Sequence, residues 1–201
     1  MTQVKKRKVM SQKEINFACE SITELLDCAE EMLTLKKPAS KGGNQQSERG
    51  IYGLSITILI ACAFDAMGNI GLHFFNKTTN KKNRIRNTNW NRFDYIKRHF
   101  LKGNNYGFKN DTFTKVFYQK YRCGLVHAGT LATGFLLENN EKEKIVYDAR
   151  QKVIHVQALV QMAKEIFEKL KKAHSLSSSL SHYLNDTVTG MTQSAPQVSQ
   201  S

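Results

Sequence analysis

Residues 50–75, "GIYGLSITILIACAFDAMGNIGLHFF", are apolar almost all round over their first fifteen positions. A helix without a wet face must be surrounded by protein or by lipid. The apolar run stops at Asp65, short of the roughly twenty residues a bilayer needs, and Asn69 and His73 interrupt the remainder of the stretch. The stretch is therefore read as the central helix of a bundle. Gly53, Ser55, Ala61, Ala63, Ala66 and Gly68 would let neighbouring helices come close. At 201 residues a single domain buries roughly 70% of the surface its unfolded chain exposes, so neither a disulfide nor a metal is required.

The partners of this helix are amphipathic. Over residues 13–35, Ile15, Ala18, Cys19, Ile22, Leu25, Leu26, Ala29, Met32 and Leu33 recur at helical spacing, and "KKPASKGGNQQSE" ends that segment. A later helix, capped by Asp111 or Thr112, carries Phe113, Val116, Phe117, Tyr121 and Leu125 on its apolar face. The last one runs through Val156, Leu159, Val160, Ala163, Ile166, Phe167 and Leu170 to "KLKKAH", whose lysines suit a helix C-terminus. Before it, two β-branched or aromatic runs flank "NNEKEK" and predict a hairpin. The fold class is an all-α antiparallel bundle of four to five helices with a small β-hairpin. Its domain spans 13–173, after a flexible basic N-terminus (1–12). A Ser-, Thr- and Gln-rich tail (174–201) is expected to be disordered.

Charge is the other constraint. The formal net charge is +13 and the pI near 9.6, which suits a polyanionic partner, either nucleic acid or an anionic membrane face. Between residues 77 and 120, twelve lysines and arginines are set against Asp94 and Asp111 alone. Within this region lies an insertion, 76–110, that interleaves the cations with Trp90, Phe93, Tyr95, Phe100, Tyr106 and Phe108. Basic side chains track phosphates and exposed aromatics stack on unpaired bases, so Lys81, Lys82, Arg84, Arg86, Trp90 and Arg92 are candidate contacts to single-stranded RNA or DNA. The plainer alternative is that the aromatics anchor the segment to the bundle while the lysines are solvated. A membrane partner is not expected, because no sustained basic amphipathic helix is present.

Cys19, Cys28, Cys62 and Cys123 form no C-x-x-C pair, so reduced thiols are expected, with no metal and no cofactor. The opening "MTQVKKRKVM" has no apolar core or cleavage site of a secretory signal, and its "KKRKV" reads as a solvated basic end rather than a nuclear import signal. The expected location is the cytoplasm. On the central helix, Asp65, Asn69 and His73 recur every four residues as one polar seam. It faces either solvent or the interior, where Asp65 would need a cation, with Arg122 the candidate.

Arg122 belongs to "YRCGLVHAGT", five residues before His127. An arginine forks onto phosphate and a histidine exchanges protons near neutral pH, which suits phosphodiester chemistry. Five residues of α-helix turn about 140° past a revolution, so the two do not share a face of a straight helix. A bend near Gly124 or Gly129, or the meeting of two chains, could unite them. The R-x4-H spacing, the "YR-x-G-L-x-H-x-G" surroundings and the two preceding helices, the second with an internal acid, resemble the HEPN (higher eukaryote and prokaryote nucleotide-binding) superfamily over about residues 12–173.

The resemblance implies a helical bundle that forms a homodimer, with two R-x4-H motifs lining one cleft. In active members it implies a metal-independent endoribonuclease, in toxin or defence settings. His127 would act as general acid or base and Arg122 would hold the phosphate, with Asp65, Asn69 and Cys123 as supporting residues. Cys123 stands where many active members carry Asn, Asp or His, which leaves a non-catalytic module binding nucleic acid, nucleotide or protein as the alternative. Gly129 stands where a toxin subgroup carries the Tyr targeted by an inactivating partner, so that regulation is not implied.

Overall fold

Ser11 starts the first helix. Its hydroxyl accepts from Glu14 N at 3.3 Å while Glu14 Oε2 accepts from Ser11 N at 2.7 Å, a reciprocal box that satisfies two otherwise orphaned donors. In the computed structural model, which describes residues 10–35, 52–101, 106–108, 113–123, 136–138 and 143–176, the helix so opened is α1, Gln12–Thr34. It buries Ile15, Ile22, Leu26 and Ala29, one stripe at helical period. The central helix α2, Gly53–Thr78, buries one broad face, including Ile56, Ile60, Phe64, Met67 and Ile70, while Leu54 and Cys62 are exposed. By length and composition it could cross a membrane, yet 56% of its most apolar window is buried within this fold.

Three long helices set the frame. Met10, just before α1, meets Asn69 and His73 late in α2, and Glu30 of α1 pairs at 2.7 Å with Lys164 of α5, Val156–Ala173. Gly53 lies beside Val156, and Phe74 stacks on His174 at 4.3 Å. So α1 is antiparallel to both α2 and α5, which are parallel to each other.

After α2 the chain doubles back. Asn76 grips the backbone of Ile85, its amide donating to Ile85 O at 2.9 Å and its carbonyl oxygen accepting from Ile85 N at 2.8 Å. The short helix α3, Asn89–Ile96, then runs along α2 in the same direction, its first turn capped by Thr88. Glycine allows this contact, since a Cβ at Gly68 would sit 2.5 Å from Arg92 O and one at Gly71 would collide with the Tyr95 ring. α3 continues through a π-wound turn, Lys97–Leu101.

The fourth helix, α4, Phe113–Arg122, is wound throughout with i→i+5 bonds, a geometry more often met as a single turn and often at functional sites. Its buried side is aromatic. Phe113 and Phe117 stack 5.5 Å apart, and both meet Phe64 edge-on at 5.6 Å. Phe93 of α3 completes the cluster at 6.1–6.3 Å. Fully burying each such ring contributes about 1.5–3 kcal/mol. The capping residues expected at 111 and 112, and Leu125, lie outside the described residues. The expectation that 3.6-residue winding continues to Arg122 does not hold, and a π ladder brings residues five apart closer to one face.

A small sheet closes the end of the bundle nearest Gly53. Strands β1 (Leu136–Glu138), β2 (Tyr147–Asp148) and β3 (Val153–His155) lie in the order β1-β3-β2. The two runs flanking "NNEKEK" do not pair with each other as expected. β1 lies parallel to β3, and the hairpin is β2–β3 instead. The turn chemistry explains this: Asp148 Oδ1 accepts from Arg150 N at 2.8 Å and Gln151 N at 3.2 Å, and Lys152 takes a left-handed φ of 55°. The Tyr121 hydroxyl, within 3.0 Å of Leu136 O and 2.9 Å of Lys152 O, ties α4 to the sheet.

Candidate nucleic-acid interface

The polar seam of α2 faces neither solvent nor the bundle interior. Asp65 Oδ2 accepts from Arg92 Nη1 at 2.7 Å, Asn69 Oδ1 accepts from the Asn87 amide at 2.6 Å, and His73 Nδ1 accepts from Met10 N at 3.4 Å. Arg92 Nε donates in turn to Asn87 Oδ1 at 2.7 Å, and the Asn91 amide donates to Arg86 O at 2.7 Å. The cation that neutralises Asp65 is thus Arg92, where the sequence suggested Arg122. The cause is the doubled-back segment, which sets α3 directly over this stretch of α2. Arg92, a candidate phosphate contact in the sequence, is about three-quarters covered and already paired. Asp65 Oδ1 is buried, with no hydrogen-bond partner among the described residues.

On the outer side, the asparagine side chains hold the backbone at Ile85 and Arg86, and Lys81, Lys82, Arg84 and Arg86 are exposed. Among the described residues no carboxylate pairs with any of the four. Lys81 and Lys82 occupy a single 3-10 turn, Lys81–Asn83. The result is a cationic strip whose backbone is braced from beneath. The aromatics of 76–110 divide: Phe93 and Tyr95 are buried, Phe100, Tyr106 and Phe108 half-buried, and Trp90 is 37% exposed. For all but Trp90, anchoring is what the structure shows.

Arg122 meets the basic segment through Tyr118. Its guanidinium sits over the Tyr118 ring, 5.6 Å from the centroid, and Trp90 meets the same ring edge-on at 5.6 Å. Burial pushes the Cys62 thiol up, with Arg122 opposing and Asp65 adding to it; burial likewise raises the Tyr118 phenol, with Cys123 the next cause. Both patterns place Cys62, Asp65, Tyr118, Arg122 and Cys123 in one neighbourhood, contributed by α2 and α4, with Trp90 and Arg92 from α3. What the cluster can do is hold an anion next to an aromatic surface. The sequence reading missed Tyr118 and Cys62, although Tyr118 stands four residues before Arg122 and Cys62 three before Asp65, the spacings at which helical neighbours meet.

His127 lies outside the described residues. Among those described, no three His, Cys, Asp or Glu side chains are gathered to hold a metal. A cavity of about 480 Å³ opens between α1 and α5 and is lined by Glu30, Glu143, Glu165, Tyr106, Gln161 and Met162 among others; it shares no residue with the Arg122 cluster. Comparison with protein-family models, with curated proteins and with solved structures finds no match.

Proposed function

We propose that this chain is a HEPN-type endoribonuclease that binds RNA along the cationic strip and cleaves it without a metal. The observation that carries the reading is the seat of Arg122. It is held at the meeting of α2, α3 and α4, against Tyr118 and near the one exposed aromatic of the basic segment, whose preceding cations form a braced strip paired to no carboxylate among the described residues. In this reading His127 moves the proton between the ribose 2′-OH and the leaving oxygen, and Arg122 stabilises charge as it builds on the phosphate. A placed histidine is worth about 10²–10⁴ in rate and a charge clamp about 10²–10³. Pairing of two copies through the region of α4 brings two motifs to one cleft, in a cytoplasmic toxin or defence setting.

The test is cleavage of single-stranded RNA by purified protein in excess EDTA. Cleavage lost by a factor of about 10²–10⁴ in His127→Ala, with RNA affinity retained, supports the reading; cleavage that survives this change refutes the role of His127. A dimer by light scattering at tens of micromolar is the matching expectation for assembly. The second reading, a non-catalytic HEPN-like module, is favoured by Cys123, and RNA bound but uncut by the wild type would select it.

A further inference from the structure

We infer that one base of the unpaired strand is laid on the Trp90 indole, beside the phosphate held at Arg122. This rests on the RNA-binding reading above and adds to it the position of one base.

Trp90 is the single tryptophan of the chain. On the same short helix Phe93 is fully covered and Tyr95 is 6% exposed, whereas Trp90 is left 37% exposed. A large indole is left at the surface in a segment otherwise made of cations and asparagines, although the neighbouring aromatics are buried. It is also fixed in place: the ring meets Tyr118 at 5.6 Å with the planes 85° apart, at the first turn of a capped helix. Tyr118 carries the Arg122 guanidinium at 5.6 Å as well. Two contacts to one ring put indole and guanidinium at most twice that distance apart, so a base on one and a neighbouring phosphate on the other belong to the same short stretch of strand.

In a duplex the faces of the bases are covered by their neighbours and only edges and backbone are presented, so an aromatic platform gains nothing from paired RNA. An unpaired base offers its face to the indole whatever its identity. The platform therefore selects for single strands and not for sequence. Arg86 and Arg92 flank Trp90 in sequence; of these, Arg86 is exposed and free of any carboxylate among the described residues, and it supplies charge to the adjoining backbone.

The lone indole makes the test direct. Short 2′-O-methyl RNA, whose blocked hydroxyl separates binding from cleavage, is titrated as a single strand and as a blunt duplex of the same sequence. Trp90 emission and its iodide quenching are read alongside anisotropy of the same RNA carrying a dye. The single strand is expected to quench the emission and shield it from iodide, and the duplex to do neither. Trp90→Ala is expected to weaken single-strand binding by about 5- to 150-fold, and Trp90→Phe to keep most of it. RNA that binds by anisotropy while emission stays unchanged, or a duplex that quenches equally, overturns this inference and leaves the RNA-binding reading standing. No binding of either form overturns both. The emission measurement uses the unaltered protein, so it decides even if Trp90→Ala fails to fold.

Discussion

Lys81, Lys82, Arg84 and Arg86 lie exposed, whereas Arg92, six residues on, is folded against α2 with its guanidinium committed to Asp65 and Asn87. Both halves of this segment look alike as sequence: cations, asparagines and an occasional aromatic. They differ in what lies beneath. The second half sits over the glycines and the acid of α2, and close packing there draws Phe93, Tyr95 and Arg92 inward. The first half lies at the surface, its backbone tied by Asn76 of α2 at Ile85 and by Asn91 of α3 at Arg86. Charge counted along a chain is thus not charge offered to a ligand; here one half offers it and the other spends it on the fold.

That contrast makes graded demands on substitution. Phe93→Ala, on the inward half, should have the largest effect on stability, about 3–5 kcal/mol, because it empties a site ringed by Phe64, Phe113, Phe117 and Tyr118. A fall in melting temperature of about 10 °C or more is the expected readout. A loss below about 1 kcal/mol would mean that α3 is not seated as described.

Arg92→Ala comes next. It strands the Asp65 carboxylate, and with both side chains about a quarter exposed the expected cost is about 1–3 kcal/mol, discounted from a fully buried pair. Asp65→Ala added to Arg92→Ala should recover part of that loss, since the orphaned charge is gone. A double-mutant cycle with no coupling would deny the pair. Asn76→Ala removes the two-sided grip on Ile85 and should cost about 1–2 kcal/mol. It should also weaken RNA binding by unbracing the strip, with no change in the protein's charge.

Where sequence reading worked and where it failed has one physical cause, the reach of a local pattern. α1, α2 and α5 were legible because burial repeats at the helical period. All seven positions expected to be apolar on α5, from Val156 to Leu170, are buried. The winding of α4 was not legible, since an i→i+5 ladder and an α-helix bury nearly the same residues, here Phe113, Phe117 and Tyr121. The strand order was hidden in runs of two or three residues, too short for alternation to fix a register, and was decided by Asp148 and Lys152 at the turn. Arg122 was named as a site residue from the sequence, but its surroundings were not legible, because its neighbours Cys62, Tyr118 and Trp90 come from three helices. The Asp65–Arg92 pair spans 27 positions and depends on the fold-back after Thr78.

The smallest effect on stability belongs to the outward half. Replacing Lys81, Lys82, Arg84 and Arg86 together by glutamine should alter stability by no more than a few tenths of a kcal/mol per site, because none is buried or paired to a carboxylate among the described residues. The same protein is where RNA binding is decided. The affinity of wild type and this quadruple variant for one single-stranded RNA should be measured across a series of salt concentrations. If the strip carries the phosphate contacts, the variant binds more weakly and its slope of log affinity against log salt is shallower by roughly 2–3, the counterions of about four contacts no longer being released. Equal affinities and equal slopes would contradict the account, leaving the four cations as solvated surface and the RNA interface without its foundation.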